Sequence, residues 1–315
     1  MCIAATRGGH LEILKWLLET QRRSYDVLSL EVGSEAAFRG HLHILKYLHD
    51  NGWDYNCMTD AARGGRIEVM KWMREKGFSW DADTCATAVL CGDLQVLKWC
   101  RENGCDWDET TCEQAASIGN LEILKWAREN GCRWTAVICT NAACNGHFEL
   151  LKWARNNGCD WNNDVCAHAA KRGDFEMLKW ARDNGCEWDS NVCAQAAKKG
   201  SLEIIKWARD NGCKWDYMAC NCAAEGGHLE LLKWLRENGC PWVHNTSKRA
   251  VKGGHLDVLK WCIENGCEWN MKDCLKEAYA SNWPHIVQWI VDQQTVEIIS
   301  TPVEEEPPFL AIDYD

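Results

Sequence analysis

The sequence predicts an all-helical protein in which about eleven copies of one short helical unit are stacked side by side. Three observations support this fold class. A Lys-Trp pair recurs in steps of 27 residues from Lys71-Trp72 to Lys260-Trp261. Each copy contains two segments that carry the start and stop signals of helices. The repeats lack the long β-branched and aromatic runs that would indicate strands.

Residues 121–139 show how one unit is built. A first helix is predicted around a Cys-x-x-Ala-Ala motif, and a Gly-containing turn leads to a second helix with the pattern Leu-Glu-x-Leu-Lys-Trp-Ala-Arg. Leu121, Leu124 and Trp126-Ala127 place apolar side chains on one face of that second helix. Gly131 follows it, at a position where glycine readily adopts the left-handed conformation that ends a helix. The unit is therefore predicted to be two helices joined by a tight turn.

The repeat pattern predicts one array over residues 1–292. The first two repeats, 1–55, are irregular, and regular repeats follow over 56–274. A capping repeat is predicted over 275–292, because the Gly-Cys stop is lost there. Residues 293–315 combine prolines with an acidic cluster and are predicted to form a disordered tail.

Charge and composition exclude several classes of function. The formal net charge is −11, of which the tail carries −6, so the repeats are only mildly acidic at −5. Nucleic-acid binding is not predicted, because it requires a basic surface that contacts many phosphates. Membrane insertion is not predicted either, because no run of about 18 apolar residues exists. The chain has 21 cysteines and no recognisable signal peptide, so we expect a reducing, cytoplasmic location.

The cysteines recur in a Cys-x6-Cys spacing that suggests two interpretations. The pairs are Cys105/Cys112, Cys132/Cys139, Cys159/Cys166, Cys186/Cys193, Cys213/Cys220 and Cys267/Cys274. Zinc sites use closer spacings, so we interpret these residues as small buried hydrophobes and predict no metal and no cofactor. A thiol-rich metal-binding or redox-responsive protein is the alternative. The regularly spaced tryptophans, such as Trp126 and Trp134, are likewise interpreted as core residues.

No catalytic constellation is present, and the protein is predicted not to be an enzyme. Five histidines precede second helices, in the position that Asp93, Asn120, Asp174 and Ser201 occupy in other copies. They are therefore interpreted as polar residues at helix starts rather than as metal ligands or catalytic bases. The histidines are His10, His41, His147, His228 and His255.

Positions that vary while the frame repeats are the candidate binding residues. Residues that share one position in successive copies lie side by side in a stack. Basic residues at and near one such position are predicted to form a patch, which extends past Glu225. The patch residues are Lys171, Arg172, Lys198, Lys199, Lys248, Arg249 and Lys252. This patch would bind an acidic peptide, with the chain's own Glu304–Glu306 as an alternative occupant. A solvated ridge without a ligand is the simpler interpretation.

The unit resembles the ankyrin repeat. The pattern T-P-L-H-x-A-A…G-H-L-E-V-V-K-L-L-L-E-x-G aligns with Thr110-Thr111-Cys112 to Trp134, and Gly227-His228-Leu229-Glu230 and Gly254-His255-Leu256-Asp257 match still better. The resemblance covers residues 1–292. The period of 27 is shorter than the ankyrin period of about 33, and the missing residues lie where ankyrin repeats carry β-turn fingers. In these respects the chain resembles the Trp- and Cys-rich ankyrin repeats of large DNA viruses and some protists.

The resemblance implies an ankyrin-like solenoid, elongated and curved, with short or absent β-turn fingers. It also implies a monomeric, non-enzymatic scaffold or adaptor that binds partner proteins, acidic peptides among them, on the concave surface formed by the first helices. If the protein is viral, its location would be the host cytoplasm.

Overall fold

A computed structural model describes residues 1–20, 25–53 and 55–300, and all regular secondary structure in these residues is helical. The described residues form 22 helices, α1 to α22 in chain order, that alternate between a first and a second helix of each repeat. This confirms the predicted all-helical repeat fold. The first helices are α1 (Cys2–Arg7), α3 (Tyr25–Arg39), α5 (Met58–Arg63), α7 (Ala82–Val89), α9 (Glu109–Ile118), α11 (Val137–Asn145), α13 (Asp164–Arg172), α15 (Ser190–Lys199), α17 (Tyr217–Glu225), α19 (Asn245–Gly253) and α21 (Met271–Ala280). The second helices are α2 (Leu11–Thr20), α4 (Leu42–Asp50), α6 (Ile67–Glu75), α8 (Leu94–Glu102), α10 (Leu121–Glu129), α12 (Phe148–Asn156), α14 (Phe175–Asp183), α16 (Leu202–Asp210), α18 (Leu229–Glu237), α20 (Leu256–Glu264) and α22 (Pro284–Ser300).

The chain divides into two units. Unit 1 contains residues 1–169 and 179–186, and unit 2 contains residues 170–178 and the residues from 187 onward. In unit 1 each first helix from α1 to α11 packs against the next first helix, and in unit 2 the same holds from α15 to α21. The Ala-Ala pairs of α3, α5, α9, α11, α13, α15 and α17, such as Ala142 and Ala143, are fully buried. These small side chains allow neighbouring first helices to approach closely.

The connections between repeats are short. Six residues, 103–108, separate α8 from α9, and they contain no strand. Asp108 starts α9 in an extended conformation, and its carboxylate accepts a hydrogen bond from the Thr110 amide. A glycine follows the second helix where the backbone adopts a positive φ. Gly131, just after α10, has a φ of 84°. The predicted shortening of the β-turn fingers is confirmed for the described residues.

The cysteines line the interior, as predicted. Nineteen of the 21 are buried, while Cys91 is half-buried and Cys144 is exposed. The Cys132 Sγ donates a hydrogen bond to the Asp108 carbonyl oxygen at 3.2 Å. This bond ties the end of a second helix to the start of the first helix of the same repeat, and it recurs along the chain. The same contact is made by Cys105, Cys159, Cys186, Cys213, Cys240 and Cys267. A thiol thus fills a small apolar site and also satisfies a backbone carbonyl.

The prediction that the tryptophans are core residues is wrong for most of them. Trp126 and Trp134 are only half-buried. The ring of Trp107 packs edge-to-face on that of Trp126 with 5.7 Å between centroids, and the Arg128 guanidinium lies 4.3 Å from the Trp134 centroid. An indole ring is large and is rarely buried completely. These rings therefore lie at the edge of the core, where another aromatic ring or a cation covers part of their surface.

The histidines stand at the starts of second helices, as predicted, but their rings make a different contact. His147 starts α12 without capping it through its side chain, whereas Asp93 and Asn120 do cap their helices. The His147 Nε2 instead lies 3.1 Å from the Ser117 carbonyl oxygen, near the end of α9, the first helix of the preceding repeat. The equivalent Nε2 atom of His228 lies 3.0 Å from the Lys198 carbonyl oxygen. These rings therefore connect adjacent repeats.

The last helix, α22, continues to Ser300, beyond residue 293, where the tail was predicted to begin. The cluster Glu304–Glu306 lies outside the described residues. None of the helices in the described part of the chain is long and apolar enough to cross a membrane.

Candidate protein-binding site

The seven predicted patch residues lie on three first helices, and all belong to unit 2. Lys171 and Arg172 end α13, and Lys198 and Lys199 end α15. The other three lie on α19. A cation at a helix C-terminus interacts favourably with the helix dipole, so the first four also have a local structural role. Their side chains remain exposed.

Three of the basic residues converge on one carboxylate, Glu225 at the end of α17. Its oxygens lie 3.3 Å from the Lys198 Nζ, 3.1 Å from the Arg249 Nη1 and 3.5 Å from the Lys252 Nζ. Lys198, Glu225 and Lys252 are 27 residues apart and occupy the same position on α15, α17 and α19. Their long side chains can therefore meet above neighbouring helices. We call these four residues the Glu225 cluster.

The electrostatics of the Glu225 cluster favour a charged carboxylate. The Glu225 side chain is only 17% exposed. Burial alone would raise its pKa, but the hydrogen bond and charge of Lys198, together with the charges of the other two cations, outweigh burial and lower the pKa. Three positive charges surround one negative charge, so the cluster retains a surplus of positive charge.

A cleft lies beside the cluster, between α19 and α21. It has a volume of about 310 Å³ and is lined by Asn245, Lys248, Arg249, Lys252 and Glu277. Inside it the Lys248 Nζ lies 3.4 Å from a Glu277 oxygen. The cleft thus joins the three patch residues of α19 in one concave surface, which we call the α19–α21 cleft.

The remaining patch residues lie toward α13. The alkyl chain of Lys199 runs past Gly173, the residue that follows Arg172: a Cβ at Gly173 would lie 3.4 Å from its Cε. The ends of α13 and α15 are therefore neighbours, as the repeat register predicts. Lys171 is exposed at this end.

Two acidic residues of this surface were not predicted from the sequence. Glu225 was predicted only to interrupt the basic row, whereas it lies at the centre of the cluster. The signal was present, because Glu225 shares the position of Lys198 and Lys252. Glu277 was missed because it does not share the position of its partner, Lys248, in the repeat.

A buried polar contact positions α19 against α17. The Thr246 hydroxyl donates to the Asn221 Oδ1 at 2.7 Å, and both residues are buried. Such a bond would be left unsatisfied if either helix slid relative to the other. It fixes Arg249 and Lys252 beside Glu225.

The thiols form a second candidate site, for the alternative function. The Sγ atoms of Cys193 and Cys213 lie 3.8 Å apart. Burial raises the pKa of Cys57 and of Cys274 to about 12, so these thiols stay protonated at neutral pH. No group of three or more His, Cys, Asp or Glu side chains in the described chain is arranged to hold a metal ion.

The stacked helix pairs and the surface on their first helices define a helix-pair repeat protein. Residues 34–74 and 193–239 match the sequence model of the family described as ankyrin repeats (many copies). These two segments therefore match ankyrin repeats, which confirms the predicted resemblance to that family. A crystal structure of the human ASB11 ankyrin repeat domain is similar to this chain, with 16% sequence identity and a TM-score of 0.41. The aligned residues cover 57% of this chain and 96% of the ASB11 chain. No curated protein matches the sequence.

Proposed function

We propose that this protein is a non-enzymatic scaffold or adaptor that binds partner proteins through the first-helix surface of unit 2, and that it recognises an acidic peptide segment there. Ankyrin repeats are generally protein-protein interaction modules. The observation that carries the finer proposal is the Glu225 cluster, where three cations share one carboxylate on a chain with a net charge of −11.

Electrostatic complementarity supports an acidic partner. A surplus of positive charge on an acidic protein attracts an acidic segment and disfavours basic ones. Lys171 and Lys199 would extend contact beyond the cluster, toward α13. The protein is further proposed to be a monomer in a reducing cytoplasm. If it belongs with the viral repeats that it resembles, rather than with those of protists, this is the cytoplasm of the host.

Charge reversal tests this proposal. The double variant Lys171→Glu/Lys198→Glu should weaken binding of a fluorescent poly-glutamate peptide at low salt, as measured by anisotropy. The matched control Lys206→Glu/Lys233→Glu reverses the same number of charges on second helices of unit 2 and should have a much smaller effect. Added salt should reduce the difference, because it screens exposed charges. Equal affinities of the two double variants would exclude the first-helix surface as the binding site.

The thiol-rich alternative is supported by close thiol pairs such as Cys193–Cys213. Metal analysis of the purified protein tests it directly: zinc or copper bound in proportion to protein would favour it.

A further inference from the structure

We propose that the α19–α21 cleft binds a phosphoryl group carried by a phosphorylated segment of a partner protein. This inference rests on the proposed function and names the chemical group that the site would select.

Charge balance is the first argument. The cleft is lined by Lys248, Arg249 and Lys252 and by one carboxylate, Glu277. Glu225 contacts two of these cations and is itself contacted by Lys198, so the lining together with these two neighbours has four positive and two negative charges, a net charge of +2. A phosphoryl monoester carries about −1.5 to −2 at neutral pH, whereas a glutamate carries −1. A phosphoryl group thus matches the lining charge, and a single carboxylate leaves half of it unbalanced.

The arrangement of donors is the second argument. Asn245, Lys248, Arg249 and Lys252 are spaced i, i+3, i+4 and i+7, so they occupy one face of α19. Arg249 uses one Nη1 contact to Glu225, and a guanidinium has five N–H donors. Donors therefore remain for the oxygens of a ligand, and arginine suits phosphate in particular because it can bind two oxygens at once.

Space is the third argument. A water molecule occupies about 30 Å³ in the liquid, so a cleft of about 310 Å³ has room for a phosphoryl group and part of the chain that carries it. The cleft is open on a first-helix surface, where a peptide can approach it.

Glu225 moderates the positive charge of the cleft. Its carboxylate lies beside the cleft and contacts Arg249 and Lys252. It therefore holds these two cations in place and offsets part of their charge. In the field of these cations a doubly charged group gains about twice the Coulomb attraction of a singly charged one. Replacing Glu225 with glutamine should therefore strengthen binding of both carboxylate and phosphorylated peptides, and it should strengthen binding of the phosphorylated ones more.

Three versions of one peptide test the inference: an acidic segment with a central serine, the same segment phosphorylated, and the same segment with glutamate in place of serine. The full chain should bind the phosphopeptide about tenfold more tightly than either other peptide, since charge-assisted hydrogen bonds contribute about 1.5–3 kcal/mol each and 1.4 kcal/mol is tenfold in affinity. The variant Lys248→Gln/Lys252→Gln should remove this preference, because it should weaken binding of the phosphopeptide about tenfold more than binding of the serine peptide. The control Lys171→Gln/Lys199→Gln lies outside the cleft and should retain the preference.

Several outcomes decide between the explanations. If all three peptides bind equally and Lys171→Glu/Lys198→Glu still weakens them, the inference is wrong and the proposed function stands. If no peptide binds, both are wrong. If inorganic phosphate or an inositol phosphate binds as tightly as the phosphopeptide and displaces it, the site does not recognise a phosphoryl group on a protein segment. This result would also overturn the inference. Circular dichroism of the glutamine variants checks that they are folded.

Discussion

Replacing Arg236 with alanine should destabilise unit 2 more than the loss of an ordinary surface side chain would. Arg236 lies in the last turn of the second helix α18 and makes two contacts with the turn that follows. Its guanidinium lies 4.2 Å from the centroid of Trp242, and its Nη1 donates a hydrogen bond to the Cys240 carbonyl oxygen. The side chain thus closes the end of the helix over the turn.

The expected cost is the sum of these two contacts. A cation–π contact at a partly exposed site contributes about 0.5–1 kcal/mol, and a hydrogen bond from a charged donor contributes about 1.5–3 kcal/mol. Arg236 is half-buried, so the lower ends apply, and we expect the variant to lose about 2 kcal/mol.

Hydrogen exchange of the native protein measures this loss locally. Stability in a repeat protein is distributed over repeats and their neighbours, so the free energy of local opening is more informative than one melting temperature. Backbone amides of α18 and α19 should lose protection in Arg236→Ala. The matched control is Lys233→Ala on the same helix, because Lys233 forms an exposed i,i+3 pair with Glu230, which contributes about 0.2–0.5 kcal/mol.

Equal loss of protection in the two variants would refute this reasoning. It would mean that the guanidinium contacts contribute no more than an ordinary surface ion pair, and that the recurring Arg-Trp contact is not a stabilising element of the repeat.

Three further predictions concern other features. The Glu225→Gln variant should be less stable than the parent at pH 6, and the two stabilities should converge as the pH falls below 4.5, the ordinary pKa of the carboxyl group. The folded-state pKa of Glu225 is lowered, so the stability that its charge contributes is present above pH 4.5 and is lost as the pH falls through the lowered pKa. Urea unfolding at several pH values measures this difference. In the native protein a thiol reagent should label Cys144 first, because it is exposed, and Cys144→Ser should remove this fast phase from the absorbance trace. Gly254→Ala should cost about 1–3 kcal/mol more than Gly266→Ala in thermal unfolding, because both need a positive φ but only a Cβ at Gly254 would meet the Trp283 ring, at 2.7 Å; equal costs would show that the ring moves aside freely.

The sequence predicted the fold well because every local signal repeats. Positions such as Leu124 and Ala127 are apolar in each copy, and they are fully buried. The small residues of the first helices and the glycines at the turns have one structural role each, so their pattern alone identifies them.

The prediction failed where a residue has both apolar and polar parts. Trp126 was assigned to the core on size and recurrence, but the pattern of one chain does not show which face of a helix is left partly uncovered. His147 was assigned a role at its own helix, whereas its ring reaches the preceding repeat. Such contacts depend on the distance between repeats, which periodicity does not specify.

The candidate site was predicted in part. Repeat register placed Lys198 and Lys252 at equivalent positions of α15 and α19, because residues separated by a multiple of 27 align. It did not predict the contact between Lys248 and Glu277, since that pair crosses the register. Whether the patch binds a partner remains a prediction.

The row formed by Lys171, Lys198, Glu225 and Lys252 has a consequence for how such a protein can evolve. These positions differ in charge from copy to copy, while the buried residues beside them hardly change. A single nucleotide change that converts lysine to glutamate there would alter the binding surface and leave the interior intact. Duplication of one repeat would supply a new position of this kind together with all the packing it needs, so ligand preference can diverge between copies of a gene without a prior gain in stability.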